Sequence, residues 1–172
     1  MAEITPNMIR IERTYPTSAE EVWRLWTTSD GIESWWAPDG FSCRVQKIDV
    51  RLGGELVYAL TATAPEQVEF MKSAGLPLSN QARKTFTELK PPTRLAYQSL
   101  VDFVPGVDPY QELTVVDLTP SGDSVRVVMT MEPMHDEEWT QRLVMGRENE
   151  LANLARILDR NRAGVTGQKP RS

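Results

Sequence analysis

The chain has 172 residues, 40% apolar or aromatic and 25% charged, and a net charge of −5. That balance fits one globular domain burying roughly 70% of its extended surface, and it argues against nucleic acid or an anionic membrane as partner. One cysteine, Cys43, excludes an internal disulfide, and one histidine, His135, leaves a zinc site short of ligands, so neither metal nor cofactor is expected.

Met8 to Thr14 alternates Ile9 and Ile11 with Arg10 and Glu12, which predicts a first strand ended by Pro16. Thr17 with Glu20, or Ser18 with Glu21, forms a capping box for a helix whose buried face carries Ala19, Val22, Trp23 and Trp26. Asp30-Gly31 punctuates it, and a short second helix is expected from Ile32 to Trp36, stopping before Pro38.

From Phe41 the period changes to two. Strands are predicted at Phe41–Val50, Glu55–Thr61, Lys84–Leu89, Arg94–Val101, Leu113–Leu118 and Val125–Met131. Gly53-Gly54, Pro91-Pro92, Pro105-Gly106 and Ser121-Gly122 supply turns between them. The interruption from Ala62 to Arg83, with a short helix near Pro65–Ala74, carries Val68, Phe70, Met71, Leu76 and Leu78. It reads either as a patch covering an open side of the core or as a lid over a cavity mouth.

The last element is a helix from about Asp136 to Arg160, with Trp139, Leu143, Leu151, Leu154 and Leu158 on one stripe. Its acidic start, Asp136 to Glu138, suits the helix dipole. Residues 1–163 therefore read as one α+β domain of about seven antiparallel strands and a long terminal helix, followed by a flexible tail, 164–172. Met1 to Arg10 lacks the apolar run of a secretory signal, and no stretch approaches the roughly 20 apolar residues of a membrane span, so a cytoplasmic protein without membrane insertion is expected.

Chemical motifs are sparse. Cys43 lies in a predicted strand and reads as a small buried hydrophobe, while His135 reads as a turn or cap residue before the last helix. Gly53-Gly54 lacks the following helix and lysine of a phosphate loop.

Four segments in order are recognisable: EEVWRLWTTSDGIESWWAPDGF, DVRLGGELVY, FTELKPPTRLAYQ and GRENELANLARIL, together spanning about Glu20 to Leu158. They resemble homologues of the activator of the 90-kDa heat-shock protein ATPase, of the START-like or SRPBCC superfamily. The resemblance implies a helix-grip fold, a curved sheet around the last helix with an internal cavity. It makes Trp35-Trp36-Ala37-Pro38 a packed corner. Two departures stand out: Arg147 occupies the place where relatives usually carry Trp after the helix glycine, and the 62–83 segment replaces a short hairpin.

With that fold, strand parity places Leu56, Tyr58 and Leu60, then Thr114, Val116 and Leu118, then Val125, Val127, Met129 and Met131 toward the helix. Phe86 and Glu88 share a parity, with Tyr97 on the next strand. Glu88 then either faces water or partners a cation such as Arg147, and Arg147 either pairs with Glu150 or a strand carboxylate or reaches into the cavity. The candidate ligand-binding residues are Tyr58, Phe86, Glu88, Tyr97, Met129, Trp139, Leu143 and Arg147. The leading expectation is a binding domain for a small hydrophobic or aromatic, lipid- or polyketide-like ligand. The alternatives are a cyclase or hydrolase acting on such a substrate and an interaction module for a chaperone ATPase. A homodimer through a sheet edge or the 62–83 segment is compatible with the sequence.

Overall fold

The period-two segments pair into a single seven-stranded antiparallel sheet in the computed structural model, which describes residues 7–166. The strands are β1 (Ile9–Tyr15), β2 (Phe41–Ile48), β3 (Glu55–Ala62), β4 (Ser79–Lys90), β5 (Arg94–Val101), β6 (Tyr110–Ser121) and β7 (Ser124–Met131). Their order is β1-β7-β6-β5-β4-β3-β2, so the two edges are consecutive in sequence. A helical pair, α1 (Ala19–Thr27) and α2 (Ser29–Trp35), carries the chain from one edge to the other. The long helix α4 (Glu137–Thr166) fills the concave face, and α3 (Pro65–Ser73) lies in the β3–β4 connection. The α+β helix-grip architecture read from the sequence is the one observed.

Local chemistry sets the joints. Ser18 is the cap of α1, its hydroxyl accepting from the Glu21 amide at 3.1 Å, which decides between the two capping boxes. Leu25, rather than Trp23, joins Ala19, Val22 and Trp26 on the buried face of α1. Gly31 does not end a helix as expected; it lies inside α2, which Thr28 caps. The reason is proximity: a Cβ at Gly31 would sit 2.7 Å from the Leu25 Cα and 2.8 Å from the Arg24 carbonyl oxygen. Only a glycine lets α2 fold back so closely on α1.

The Trp35-Trp36 corner is packed as expected. Trp26, Trp35 and Trp36 form edge-to-face pairs with centroids 4.7 to 6.0 Å apart, and the Trp35 indole donates to the Leu25 carbonyl at 2.8 Å. The core continues along the sheet through Leu56, Phe86, Leu95, Val116, Val127 and Met129, and meets Leu151, Leu154 and Leu158 of α4.

The expectation that Phe86 and Glu88 share a face fails. The register pairs Phe86 with Tyr97 and Glu88 with Ala96, so Thr87 is an extra residue in β4. A bulge of this kind turns the strand by one position and sends the next side chain to the other face. Phe86 stays in the core, while Glu88 emerges on the convex face.

The 62–83 segment is shorter as a loop than expected, because β4 starts at Ser79. Helix α3 docks beside the turn before β2: the amides of Thr63 and Ala64 donate to the Gly40 carbonyl, and Met71 is buried. Helix α4 runs past the expected end at Arg160 to Thr166; residues 167–172 of the expected tail lie outside the described residues. No helix among the described residues is long and apolar enough to cross a membrane.

Candidate functional site

Three neighbouring strands place a polar row on the concave face. The register sets Lys84 of β4 opposite Ser99 of β5, and Ser99 opposite Glu112 of β6. The Lys84 ammonium donates to Ser99 Oγ at 2.6 Å and lies 4.9 Å above the Tyr97 ring and 5.7 Å from the Trp36 ring. Glu112 accepts from the Thr114 hydroxyl at 3.2 Å. Both ionisable groups are only 3% exposed.

Above this row, α4 turns Leu143, Gly146, Arg147 and Glu150 toward the sheet, spaced by one helical turn. Arg147 and Glu150 form a buried ion pair in which one guanidinium nitrogen reaches both carboxylate oxygens. Between row and helix lies a cavity of about 220 Å³, bounded by Tyr58, Lys84, Ser99 and Glu112 below and by Leu143, Gly146 and Arg147 above. At its rim stand Phe103, Trp139 and Arg142, with the Phe103 and Trp139 rings 5.8 Å apart and Arg142 over the Trp139 ring at 4.7 Å. His135 lies beside this rim, its Nδ1 2.8 Å from the Tyr110 hydroxyl, and Asp136 rather than His135 caps α4 by accepting from the Trp139 amide.

Burial controls the electrostatics. Burial first, and then the Arg147 charge, push the Lys84 ammonium down to about 7, against the pull of Glu150 and Glu112. Burial pushes the Glu112 carboxyl up to about 7, opposed by Lys84 and Arg147. Burial also disfavours the Arg147 cation, but Glu150 outweighs it and the guanidinium stays charged. The Tyr58 and Tyr97 hydroxyls are raised above the ordinary phenol range by burial. Near Tyr97 and Tyr58, the indoles of Trp26 and Trp36 favour the phenolates slightly. Neither contact reaches hydrogen-bond geometry, and the Tyr97 hydroxyl is buried without a hydrogen-bond partner. Cys43 is a buried thiol pushed up to about 12, first by burial and then by Glu33 and Glu150.

Of the residues singled out from the sequence, Tyr58, Trp139, Leu143 and Arg147 line this cavity. Tyr97 lies under the Lys84 ammonium without lining it, and Phe86 and Met129 belong to the adjoining core. Glu88 does not join them: beyond the bulge its carboxylate lies 3.1 Å from Arg94, which also meets Asp117 at 2.9 Å. Of the two alternatives open in the sequence, Glu88 partners a cation, and that cation is Arg94 on the convex face in place of Arg147. From the 62–83 segment only Ala82 and Arg83, both in β4, reach the cavity, so no lid from this segment covers it. Lys84, Ser99, Glu112 and Gly146 were missed. Their signal was parity, since Lys84 shares a face with Phe86 and Glu112 shares one with Thr114 and Val116. Two larger depressions, about 600 Å³ on the convex face and about 480 Å³ beside β2, are more open, and each holds a single buried titratable side chain, Glu88 in the first and Cys43 in the second.

Residues 16–159 match the family model described as Activator of Hsp90 ATPase homolog 1-like protein. The chain belongs to this family. Solved structures repeat the fold of this AHSA1-like chain. The Chromobacterium violaceum protein CV1439 is 24% identical over 90% of this chain and 98% of its own, with a TM-score of 0.71. An AHSA1 protein from Silicibacter pomeroyi is 17% identical over 90% and 99%, with a TM-score of 0.70. A protein from Arthrobacter aurescens is 17% identical over 90% and 87%, with a TM-score of 0.71. No curated protein matches the chain significantly. The AHSA1-like fold thus accounts for the antiparallel sheet and the long helix packed against it.

Proposed function

We propose that this AHSA1-like domain binds a small molecule with an aromatic or apolar body and an acidic group, held between the sheet and α4. The observation that carries the reading is a cavity with both kinds of lining: Leu143, Tyr58 and Trp139 offer apolar surface, and two basic side chains, Lys84 and Arg147, stand beside it. A carboxylate or phenolate brought next to Lys84 would be matched by a proton retained on the amine, in a setting where water does not screen the attraction. At about 220 Å³ the space is smaller than drug-sized pockets of roughly 300–1,000 Å³, which favours one or two rings over a long acyl chain.

Trp139 on the rim and Trp36 near Lys84 are built-in reporters. Titration with benzoate, 2-naphthoate and palmitate, read by tryptophan fluorescence, is expected to give saturable changes with the aromatic acids that weaken in Lys84→Met. An unmoved signal across the panel, together with an empty native mass spectrum, would sink the reading. Chaperone-ATPase activation, the role in the family's name, is the alternative that family membership supports.

A further inference from the structure

Lys84 has a use beyond holding an acid. The residue is 3% exposed and lines the cavity, and its amine is fixed by Ser99 Oγ at 2.6 Å above the Tyr97 ring. It also lies in the field of a second cation, Arg147, which its partner Glu150 keeps charged. A lysine that is both desolvated and next to another cation is held as a free amine, the nucleophilic form. The same row supplies the acid: Glu112, two strands away through Ser99, is buried enough to keep its proton near neutral pH.

We propose that Lys84 is a nucleophile that condenses with a small aldehyde or ketone seated in this cavity, forming a reversible imine. The nitrogen lone pair forms the new C–N bond, and the carbonyl π pair moves to oxygen, which takes a proton from Glu112. The nitrogen gives a proton back to the Glu112 carboxylate, leaving a neutral carbinolamine. Glu112 then protonates the hydroxyl, which departs as water while the nitrogen pair closes the C=N bond. The resulting iminium returns its N–H proton to Glu112. Amine plus carbonyl gives imine plus water, and neither oxidant nor reductant is consumed. The inference rests on reading the cavity as a small-molecule site and adds the substrate class, a compact carbonyl compound.

Burial and the Arg147 charge, opposed by Glu150 and Glu112, set the Lys84 amine near 7, while the Tyr97 and Tyr58 hydroxyls facing it from β5 and β3 stay protonated. Exposed lysines, by contrast, are about one part in a thousand free amine at neutral pH. Reductive trapping of the full chain with 2-naphthaldehyde and cyanoborohydride at about pH 7.5, followed by peptide mapping, therefore compares lysines within one molecule. The expected result is an adduct on Lys84 at least roughly tenfold faster than on Lys47, Lys72 and Lys90, with a pH profile half-maximal near 7. Lys84→Arg, which keeps a cation there, should lose that fast adduct, and Glu112→Gln should slow it.

Because the comparison is made inside the native chain, it does not depend on any variant folding. An adduct spread over Lys47, Lys72 and Lys90 as readily as Lys84 overturns the proposal. A parallel 2-naphthoate titration separates it from the binding reading. Fluorescence response without Lys84 trapping overturns the imine and leaves the binding reading standing. Trapping without response supports the imine and removes the acid as ligand, and the absence of both overturns both.

Discussion

Arg147 and Glu150 meet one turn apart on the sheet side of α4, and each side chain is less than one-sixth exposed. A pair so placed is costly to break and cheap to replace. Leaving one charge buried alone destabilises by about 3–5 kcal/mol, whereas apolar substitution of both partners is neutral or stabilising by about 1–4 kcal/mol. Glu150→Gln is accordingly expected to lower stability toward the smaller end of the first range, since some water reaches the pair. Arg147→Met/Glu150→Leu should restore or exceed the parent stability. Urea unfolding of the three proteins checks this. A double variant less stable than Glu150→Gln alone would show that the pair holds the fold together.

Lys84 and Glu112 predict an unusual pH dependence. The Glu112 carboxyl sits above its ordinary range when folded, so between about 4.5 and 7 the native state holds a proton that the unfolded chain has released, and stability falls as pH rises. The Lys84 amine sits below its ordinary range, so from about 7 to 10.5 the unfolded chain holds the extra proton and stability rises with pH. The two contributions give a dip near pH 7. Glu112→Gln should remove the acid-side slope and Lys84→Met the alkaline-side slope, measured as urea midpoints from pH 5 to 10. Because the two groups interact, the dip belongs to the pair.

Gly146 lines the cavity from the helix side. A Cβ built there meets nothing within 4 Å, and the residue lies mid-helix, where glycine costs about 1 kcal/mol relative to alanine. Gly146→Ala should raise the melting temperature and keep ligand binding. Gly146→Leu should retain or raise it while weakening 2-naphthoate at least roughly tenfold, because the added side chain occupies the space. Equal binding by both variants would place the ligand elsewhere.

Gly31→Ala is expected to behave in the opposite way. Its Cβ would meet backbone at 2.7 and 2.8 Å, so the α1–α2 joint must open, at about 1–3 kcal/mol. The urea midpoint of this variant, with the unfolding slope unchanged, is the check.

On the convex face, Arg94→Met withdraws the cation that meets both Glu88 and Asp117. A loss of about 1–3 kcal/mol is expected, the scale for a buried group deprived of a hydrogen-bonded partner. Ligand titrations should be unchanged, because the sheet separates Arg94 from the cavity. A shifted affinity would tie the two faces together.

Periodicity made the fold legible. Strand alternation and the Leu151, Leu154 and Leu158 stripe appear where their spacing puts them, and the Trp35-Trp36 corner is packed as the family resemblance implies. The site was legible only in part, for two physical reasons. One inserted residue, Thr87, reversed the parity that tied Glu88 to Phe86, and no local composition announces such a bulge. Lys84 and Glu112 lay at inward positions, yet charged residues there run against the rule that strands bury apolar groups, so their parity counted for less than their polarity. Arg147 stands out in the sequence because relatives usually carry Trp there, and of the partners open to it the structure selects Glu150, three residues on.

Helix α4 is fastened unequally along its length. Beyond residue 150, Leu151, Leu154 and Leu158 are buried, the Tyr15 hydroxyl donates to the Leu151 carbonyl at 2.8 Å, and the Asn153 amide donates to the Ala37 carbonyl at 2.9 Å. Before it, the side chains from Glu137 to Gly146 are exposed or half-buried, and Trp139, Arg142 and Leu143 among them line the cavity. The helix is a cantilever: clamped at one end, free to flex over the hollow at the other. Admission of a molecule then needs only the unclamped turns to lift, and amide exchange should be fastest around Trp139 and slowest near Leu154, with a bound ligand narrowing that gradient.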